Sequence, residues 1–243
     1  MKGLILAGGH GTRLHPTTKV INKHLLMIYD KPMIFYPIMA LRDAGIKDIV
    51  LTLGDHDCER FYELLGSGKE LGVNLTYHYH GEPKGIAYAI NSAREELGNE
   101  DFVVHLGDNI FTYGITDFVE GWNSGVKGLY PHNICGILTK KMPPHKSHSY
   151  GMLLRHNWKT AVVEKPVELI SQDAVLGCYI FDDRFFKNFD KLTPSSRGEY
   201  EITDMINSFE TRYIMDYDYP WYDCGTFSDL YQASKWRRGC VLG

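Results

Sequence analysis

Over the first hundred positions, short apolar runs alternate with amphipathic stretches. Gly3-Leu4-Ile5-Leu6-Ala7 is a brief apolar run closed by glycines and predicts a buried strand. Asp48 to Leu53 and Phe102 to Leu106 read the same way, and Val73 to Tyr79 alternates as a half-buried strand does. Between them, Lys31 to Ala44 carries apolar residues at helical spacing, with Pro32 acceptable at a helix start and Gly45 closing it. Cys58 to Leu65 and Gly85 to Leu97 predict two more helices. Strands that alternate with helices imply right-handed βαβ units. The expected class is therefore α/β, a Rossmann-like, mostly parallel or mixed sheet sandwiched by helices. Farther along the pattern is less regular. Ile134 to Thr139, Thr160 to Glu164 and Val175 to Phe181 predict strands; Asp183 to Phe189, Glu201 to Phe209 and Phe227 to Trp236 predict helices; Pro143 to Ser149 predicts a loop. No repeat or linker interrupts residues 1–243, so a single domain with an irregular second half is expected.

Composition narrows the class. With 243 residues and 44% hydrophobic content, the chain can bury a sizeable core without staples. A net charge of −4 carries no basic footprint for nucleic acid. The five cysteines form no C-x-x-C pair, and an odd count argues against a disulfide framework or a zinc cage. A reducing, cytoplasmic setting is expected. The apolar run Leu4 to Ala7 is too short for a secretory signal, no stretch is long enough to span a bilayer, and no membrane partner is expected.

Chemistry enters where the first strand ends. Gly8-Gly9-His10-Gly11-Thr12-Arg13 lets backbone N–H groups approach a phosphate, and Arg13 adds a planar cationic fork. A tight structural turn is the plain alternative, and it would not need Arg13 with Lys23 close behind. The run is not a G-x-x-x-x-G-K-[ST] phosphate loop, and as a dinucleotide fingerprint it fails because Leu14 stands where the third glycine belongs. Asp108 follows a predicted strand end, where ligands of open α/β sheets bind; Asp223, in Trp221 to Thr226, offers a second carboxylate. Two aspartates and a polyphosphate suit Mg²⁺, although an Asp beside Gly or Asn is also an ordinary turn former. Glu164-Lys165 after a strand suits a sugar and its phosphate, or else is a surface ion pair of little consequence. His78, His80, His145 and His148 lack metal-site spacing and read as loop or solvent residues.

Three ordered segments carry a resemblance: Leu6 to Pro16, then Lys23-His24-Leu25-Leu26, then Asp30 to Ile34. Together they resemble the sugar-1-phosphate nucleotidyltransferases, and among these the glucose-1-phosphate thymidylyltransferases. The resemblance implies transfer of a nucleotidyl group from a nucleoside triphosphate to a sugar 1-phosphate, with Mg²⁺ as cofactor. It implies that Leu6, Ala7, Gly8, Gly9, Gly11, Thr12, Arg13, Lys23, His24, His80 and Gly85 hold the nucleotide, with Lys23 also offsetting charge at the α-phosphate. It turns Asp108 and Asp223 into metal ligands. It places Asn109, Tyr150, Gly151, Glu164, Lys165, Val175 and Tyr179 around the sugar phosphate, and makes Arg13, Lys23 and Lys165 the catalytic cations. On this reading about 1–110 form the nucleotide-binding half and about 111–243 the sugar-phosphate-binding half. Arg197 to Asp204 also matches and reads as mainly architectural, with Glu199 able to reach the sugar.

Three departures qualify the resemblance. His24 and His80 stand where thymidylyltransferases have glutamines, and an imidazole presents a different donor and acceptor set to a base. Met27 replaces a proline, which affects packing. The chain stops at Gly243, before the helical segment that supports an allosteric site and subunit contacts in long-form relatives, so neither feedback control nor oligomeric state carries over from the resemblance, and assembly into a homo-oligomer is left open. Three rivals remain: a dinucleotide-dependent oxidoreductase, for which Leu53-Gly54-Asp55 is the nearest acidic signal; a non-catalytic module retaining the fold; and the same chemistry with another base or sugar, such as a uridylyl or guanylyl donor, which His24 and His80 keep open.

Overall fold

In the computed structural model, residues 1–54, 57–82, 84–129, 133–156 and 159–242 are described. The strands are β1 (Lys2–Leu6), β2 (Met27–Ile28), β3 (Lys31–Pro32), β4 (Asp48–Leu53), β5 (Asn74–Tyr79), β6 (Phe102–Leu106), β7 (Asn109–Phe111), β8 (Ile134–Lys141), β9 (Gly151–His156), β10 (Lys159–Glu164), β11 (Asp173–Phe181), β12 (Thr211–Asp216) and β13 (Trp221–Asp223). The helices are α1 (Phe35–Asp43), α2 (Cys58–Leu65), α3 (Ile86–Ser92), α4 (Arg94–Leu97), α5 (Thr116–Gly121), α6 (Lys127–Leu129), α7 (Arg184–Phe189), α8 (Ile202–Asn207) and α9 (Phe227–Leu242). The expected α/β class is what the chain adopts. Two compact units form, and the chain passes between them more than once. One comprises Lys2–Pro83, His105–Thr116 and Tyr219–Gly243; the other comprises Met1, Lys84–Val104 and Asp117–Asp218.

In the unit that contains the glycine run, β1 pairs parallel with β4 and β4 with β5, in the register Leu4↔Val50 and Val50↔Thr76. β1 and β4 are largely apolar because both their faces are covered, Leu4, Ile5 and Leu51 having no exposed surface, whereas β5 alternates and is half-exposed. Gly45, at φ 82°, ends α1, and the Ile46 N–H returns to the Leu41 carbonyl at 2.9 Å. The start of that helix differs from the sequence reading. Lys31 and Pro32 form β3, which pairs antiparallel with β2 across a turn at Tyr29 (φ 59°), and the helix begins at Phe35. The Met33 and Ile34 N–H groups that a helix would leave unsatisfied donate instead to the Leu26 and His24 carbonyls, both at 2.9 Å. Ile28, Met33, Ile110, Cys224 and Ala233 close a buried cluster beneath Tyr36, Tyr222, Leu230 and Trp236. Distant sequence is thus joined by α9 and the β7–β13 ribbon.

The other unit is mixed: β8 pairs antiparallel with β11 and parallel with β12, while β9 pairs antiparallel with β10 and β11. The predicted helix from Gly85 to Leu97 breaks at Ala93 into α3 and α4, and the predicted loop before Tyr150 winds into a 3-10 turn over Pro144–Ser149. Aromatic rings fill the core. The Phe102 ring lies 5.7 Å from the centroids of Phe185 and Phe186 and 6.0 Å from Phe181, and Phe181 packs on Phe209 at 5.5 Å. Trp122, fully buried, spends its one donor on Asp101 at 2.9 Å. Phe102→Ala removes the ring shared by three neighbours. A loss of about 3–5 kcal/mol of unfolding free energy is expected in a denaturant titration, and a loss below about 1 kcal/mol contradicts this account of the core.

Candidate active site

The end of β1 and the turns that meet it are packed too closely for side chains. A Cβ on Gly8 would lie 2.0 Å from His80 Nε2, and one on Gly54 would lie 2.7 Å from the Gly8 carbonyl oxygen. A Cβ on Gly107 would lie 2.7 Å from both the Leu6 carbonyl oxygen and His24 Cδ2. Backbone oxygens close on Gly54 and Gly107, so glycine is required at those two, while at Gly8 a side chain would displace the His80 ring. Gly11 adopts φ 61°, and its carbonyl accepts from the Thr18 hydroxyl at 2.8 Å. The stem of Lys23 runs alongside Gly9 and Gly11, which leaves its ammonium free to reach Asp108. Beside the loop opens a cleft of about 410 Å³ whose lining mixes the polar His10, Thr12, His15 and Thr18 and the charged Lys19 and Asp57 with the apolar Val20 and Ile21.

Asp108 sits where β6 turns into β7. The ribbon partner β13 sets Asp223 opposite Asn109, and the Cys224 N–H donates to the Asp108 carbonyl at 2.9 Å. The two predicted aspartates thus converge. Burial opposes the ionised form of Asp108. The charge of Lys23, with hydrogen bonds from Lys23 and Asn109, overcomes this and holds the carboxyl well below the usual range. Asp223 responds in the opposite sense: burial, then the charge of Asp108, pushes it up to about 7. The Arg13 guanidinium lies against Gly225, where a Cβ would come within 2.5 Å of Nη2, and its charge bears on Asp223. Asn109 is 2% exposed. Its amide donates to Asp108 Oδ1 at 3.0 Å, and its oxygen accepts from the Trp221 indole at 2.8 Å. Among the described residues no group of three or more His, Cys, Asp or Glu side chains is arranged to hold a metal by itself.

His24 is 1% exposed. Its Nδ1 meets Asn22 Oδ1 at 2.8 Å; a carbonyl oxygen only accepts, so Nδ1 carries the hydrogen. Burial, then Lys23, pushes its pKa down to about 3, so the ring is neutral. His80 packs on Gly8. Gly85 belongs to the other unit, where it caps α3 at φ 97° with Tyr200 too near for any side chain.

The predicted sugar-side residues other than Asn109 lie in that second unit. Gly151 faces Glu164 across β9 and β10, and a Cβ at 151 would lie 3.5 Å from Glu164 Oε2. Lys165 has φ 41°, rare for a residue with a side chain, and its N–H donates to the Tyr150 carbonyl at 3.1 Å. Its ammonium pairs with Glu164 Oε1 at 3.0 Å. Val175 and Tyr179 flank a register shift in β11 and are 7% and 4% exposed. The His148 ring nitrogen donates to the Pro166 carbonyl at 2.7 Å, a structural use. Sequence reasoning missed the close-packed Gly54, Gly107 and Gly225, the buttress Asn22, and Trp221. A Gly-Asp step at a strand end was the available signal for Gly54 and Gly107. Asp55, the acidic residue weighed for a dinucleotide site, lies outside the described residues.

Residues 2–237 match the family described as nucleotidyl transferase. The chain belongs to that family. It is 36% identical over 239 residues to a low-salt glycan biosynthesis nucleotidyltransferase of Haloferax volcanii, covering 97% of this chain and 65% of that longer protein. It is 35% identical over 242 residues to the glucose-1-phosphate thymidylyltransferase of Neisseria meningitidis, covering 97% and 82% of the two chains. A Bacillus anthracis structure, described as a candidate glucose-1-phosphate thymidylyltransferase with sucrose bound, superposes with a TM-score of 0.89 at 36% identity, covering 98% and 95%. A UDP-glucose pyrophosphorylase solved with UDP-glucose shares the fold at 24% identity, with a TM-score of 0.82 and 98% of each chain covered. No described helix is long and apolar enough to cross a membrane.

His105 has no exposed surface; its Nδ1 donates to the Leu106 carbonyl at 2.8 Å, and Nε2 has no partner among the described residues. Burial lowers its pKa from 6.5 to about 4. In that window the unfolded chain takes up the proton first. The neutral ring's contribution is therefore full above about pH 6.5 and is lost as pH falls toward 4. His105→Phe should flatten the decline of thermal midpoint between pH 6.5 and 4 relative to the parent protein; parallel curves would show that His105 does not titrate this way.

Proposed function

We propose that the protein transfers a nucleotidyl group from a nucleoside triphosphate, dTTP first among them, to a sugar 1-phosphate, glucose 1-phosphate first among them, releasing pyrophosphate. The observation that carries this reading is the convergence of Lys23, Asp108 and Asp223 beside the glycine loop in a chain of the nucleotidyl transferase family. An anionic phosphate oxygen of the sugar attacks the α-phosphorus. A bond forms there as the bond to the β-phosphate oxygen breaks, so no general base is needed, and catalysis rests on positioning and charge. Arg13 holds the departing pyrophosphate, Lys23 offsets charge on the α-phosphate, and Lys165 holds the attacking phosphate while Glu164 accepts from sugar hydroxyls.

Asp108 and Asp223 suit Mg²⁺. Two carboxylates crowd one buried place, and the second resists ionising there without further positive charge. Bound there, Mg²⁺ would neutralise the nucleotide phosphates. Five free cysteines agree with a reducing, cytoplasmic setting. A second reading, the same chemistry with uridylyl or guanylyl donors, is favoured by one feature: His24 and His80 replace glutamines at the expected base side, and the His24 ring is buried against Asn22.

Pyrophosphate release with Mg²⁺, glucose 1-phosphate and each nucleoside triphosphate tests the function. A preference for dTTP is expected. Activity with another base moves the specificity, and no release across a panel of sugar phosphates overturns the reading. Asp108→Asn and Arg13→Ala should each lower turnover on the order of 100-fold or more with unchanged far-ultraviolet dichroism; near-normal turnover in either removes these roles. Gly225→Ala, whose nearest contacts are the flexible end of Arg13, should spare the thermal midpoint yet raise KM for the triphosphate, whereas an unchanged KM would detach Arg13 from that substrate.

A further inference from the structure

Three carboxylates surround one arginine next to Glu164. The Arg197 guanidinium donates to both oxygens of Glu201 at 2.9 Å through Nη2, and through Nε to Oε1 at 3.2 Å. The same Nη2 lies 3.8 Å from Glu164 Oε1 and 3.6 Å from Glu199 Oε2. Glu201 is 8% exposed, and the Ser195 hydroxyl donates to its Oε1 at 2.7 Å. Ser195 is fixed in turn: its N–H donates to the Glu199 carbonyl and its carbonyl accepts from the Gly198 N–H, both at 2.8 Å, with Gly198 at φ 75°. A buried, bidentate carboxylate holds a planar guanidinium in one orientation as no single contact does. Arg197 is therefore held within ion-pair range of Glu164, at 3.8 Å, by groups behind it.

Both cations beside Glu164 converge on the same oxygen, Oε1, with Lys165 at 3.0 Å and Arg197 at 3.8 Å. No described residue pairs with Oε2, and the absence of a side chain at Gly151 keeps the backbone close to it, with a Cβ there falling 3.5 Å from Oε2. We propose that Glu201 and Arg197 form a positioning clamp that orients Glu164 for sugar hydroxyls and replaces the charge of Lys165 when that lysine turns to the sugar phosphate. The proposal rests on the function given above. Lys165 cannot serve Glu164 and a phosphate equally well. Without Arg197, the lysine would either stay on the carboxylate or leave it unpaired, and both weaken the sugar side while leaving the triphosphate side untouched. Lysine at position 197 would keep the charge and lose the fork.

The test is sugar 1-phosphate binding by calorimetry, with KM for both substrates and turnover read in parallel. Glu201→Gln and Arg197→Lys should each weaken sugar 1-phosphate binding roughly tenfold or more, the scale of a hydrogen bond to a charged group, and leave KM for the triphosphate unchanged. A purely structural role is separated by a double-mutant cycle: in a Glu164→Gln background, Glu201→Gln should cost little further binding. Additive losses, or a KM for the triphosphate that rises in step, overturn the clamp. Should Glu201→Gln fail to fold, Arg197→Lys alone carries the same cycle. Parent protein that binds and turns over, with both variants binding as the parent does, overturns the clamp alone. Parent protein that binds no sugar 1-phosphate overturns the clamp and the proposed function together.

Discussion

A lysine and two aspartates share a buried place, and the unit around them is arranged to make that tolerable. Removing Lys23 and Asp108 from water is costly unless each satisfies the other, and the ion pair does so. Asp223 then has no equal partner and is pushed toward its neutral form. Everything near this trio serves its placement: the glycines that let three backbone turns close in, Asn109 pinned between Asp108 and the Trp221 indole, and Asn22 braced under His24. In the other unit Lys165 keeps a left-handed backbone, which at a residue with a side chain persists only where surroundings enforce it.

The parallel strands β1 and β4 and the strand β6 were legible because burial on both faces leaves unbroken apolar runs between glycines. That the glycine run, Lys23 and Asp108 come together was legible from the ends of β1 and β6, which the sequence marks with glycines. Asp223 was weaker: its motif alone is a turn, and only the register of β13 on β7 shows why it faces Asp108. The β2–β3 ribbon was misread as a helix start because Pro32 and the apolar spacing fit both, while the deciding event, the Met33 and Ile34 N–H groups finding loop carbonyls, is tertiary. The strands β9 and β12 were missed since each mixes polar with apolar residues, half-exposed as their burial shows.

His24 shows where motif reasoning reaches its limit. By position it stands with nucleotide residues; by environment it is a neutral, enclosed ring whose hydrogen serves Asn22. A residue type at a matching position says which family the chain belongs to, while burial says how that position is used. The same distinction separates Glu199, half-exposed near Arg197, from Glu201, buried and bidentate, two residues apart in one segment.

The order in which the β7–β13 ribbon is assembled has a consequence for synthesis. A ribosome delivers β1, β4 and β5 early, yet β13 and α9 follow only after more than a hundred intervening residues of the other unit, Asp117–Asp218, have emerged. Until then Ile28, Met33 and Ile110 lack the cover that Cys224 and Ala233 later provide. The nascent chain therefore carries an open apolar seam for most of its translation, and the carboxylate that completes the buried trio arrives together with the residues that seal it.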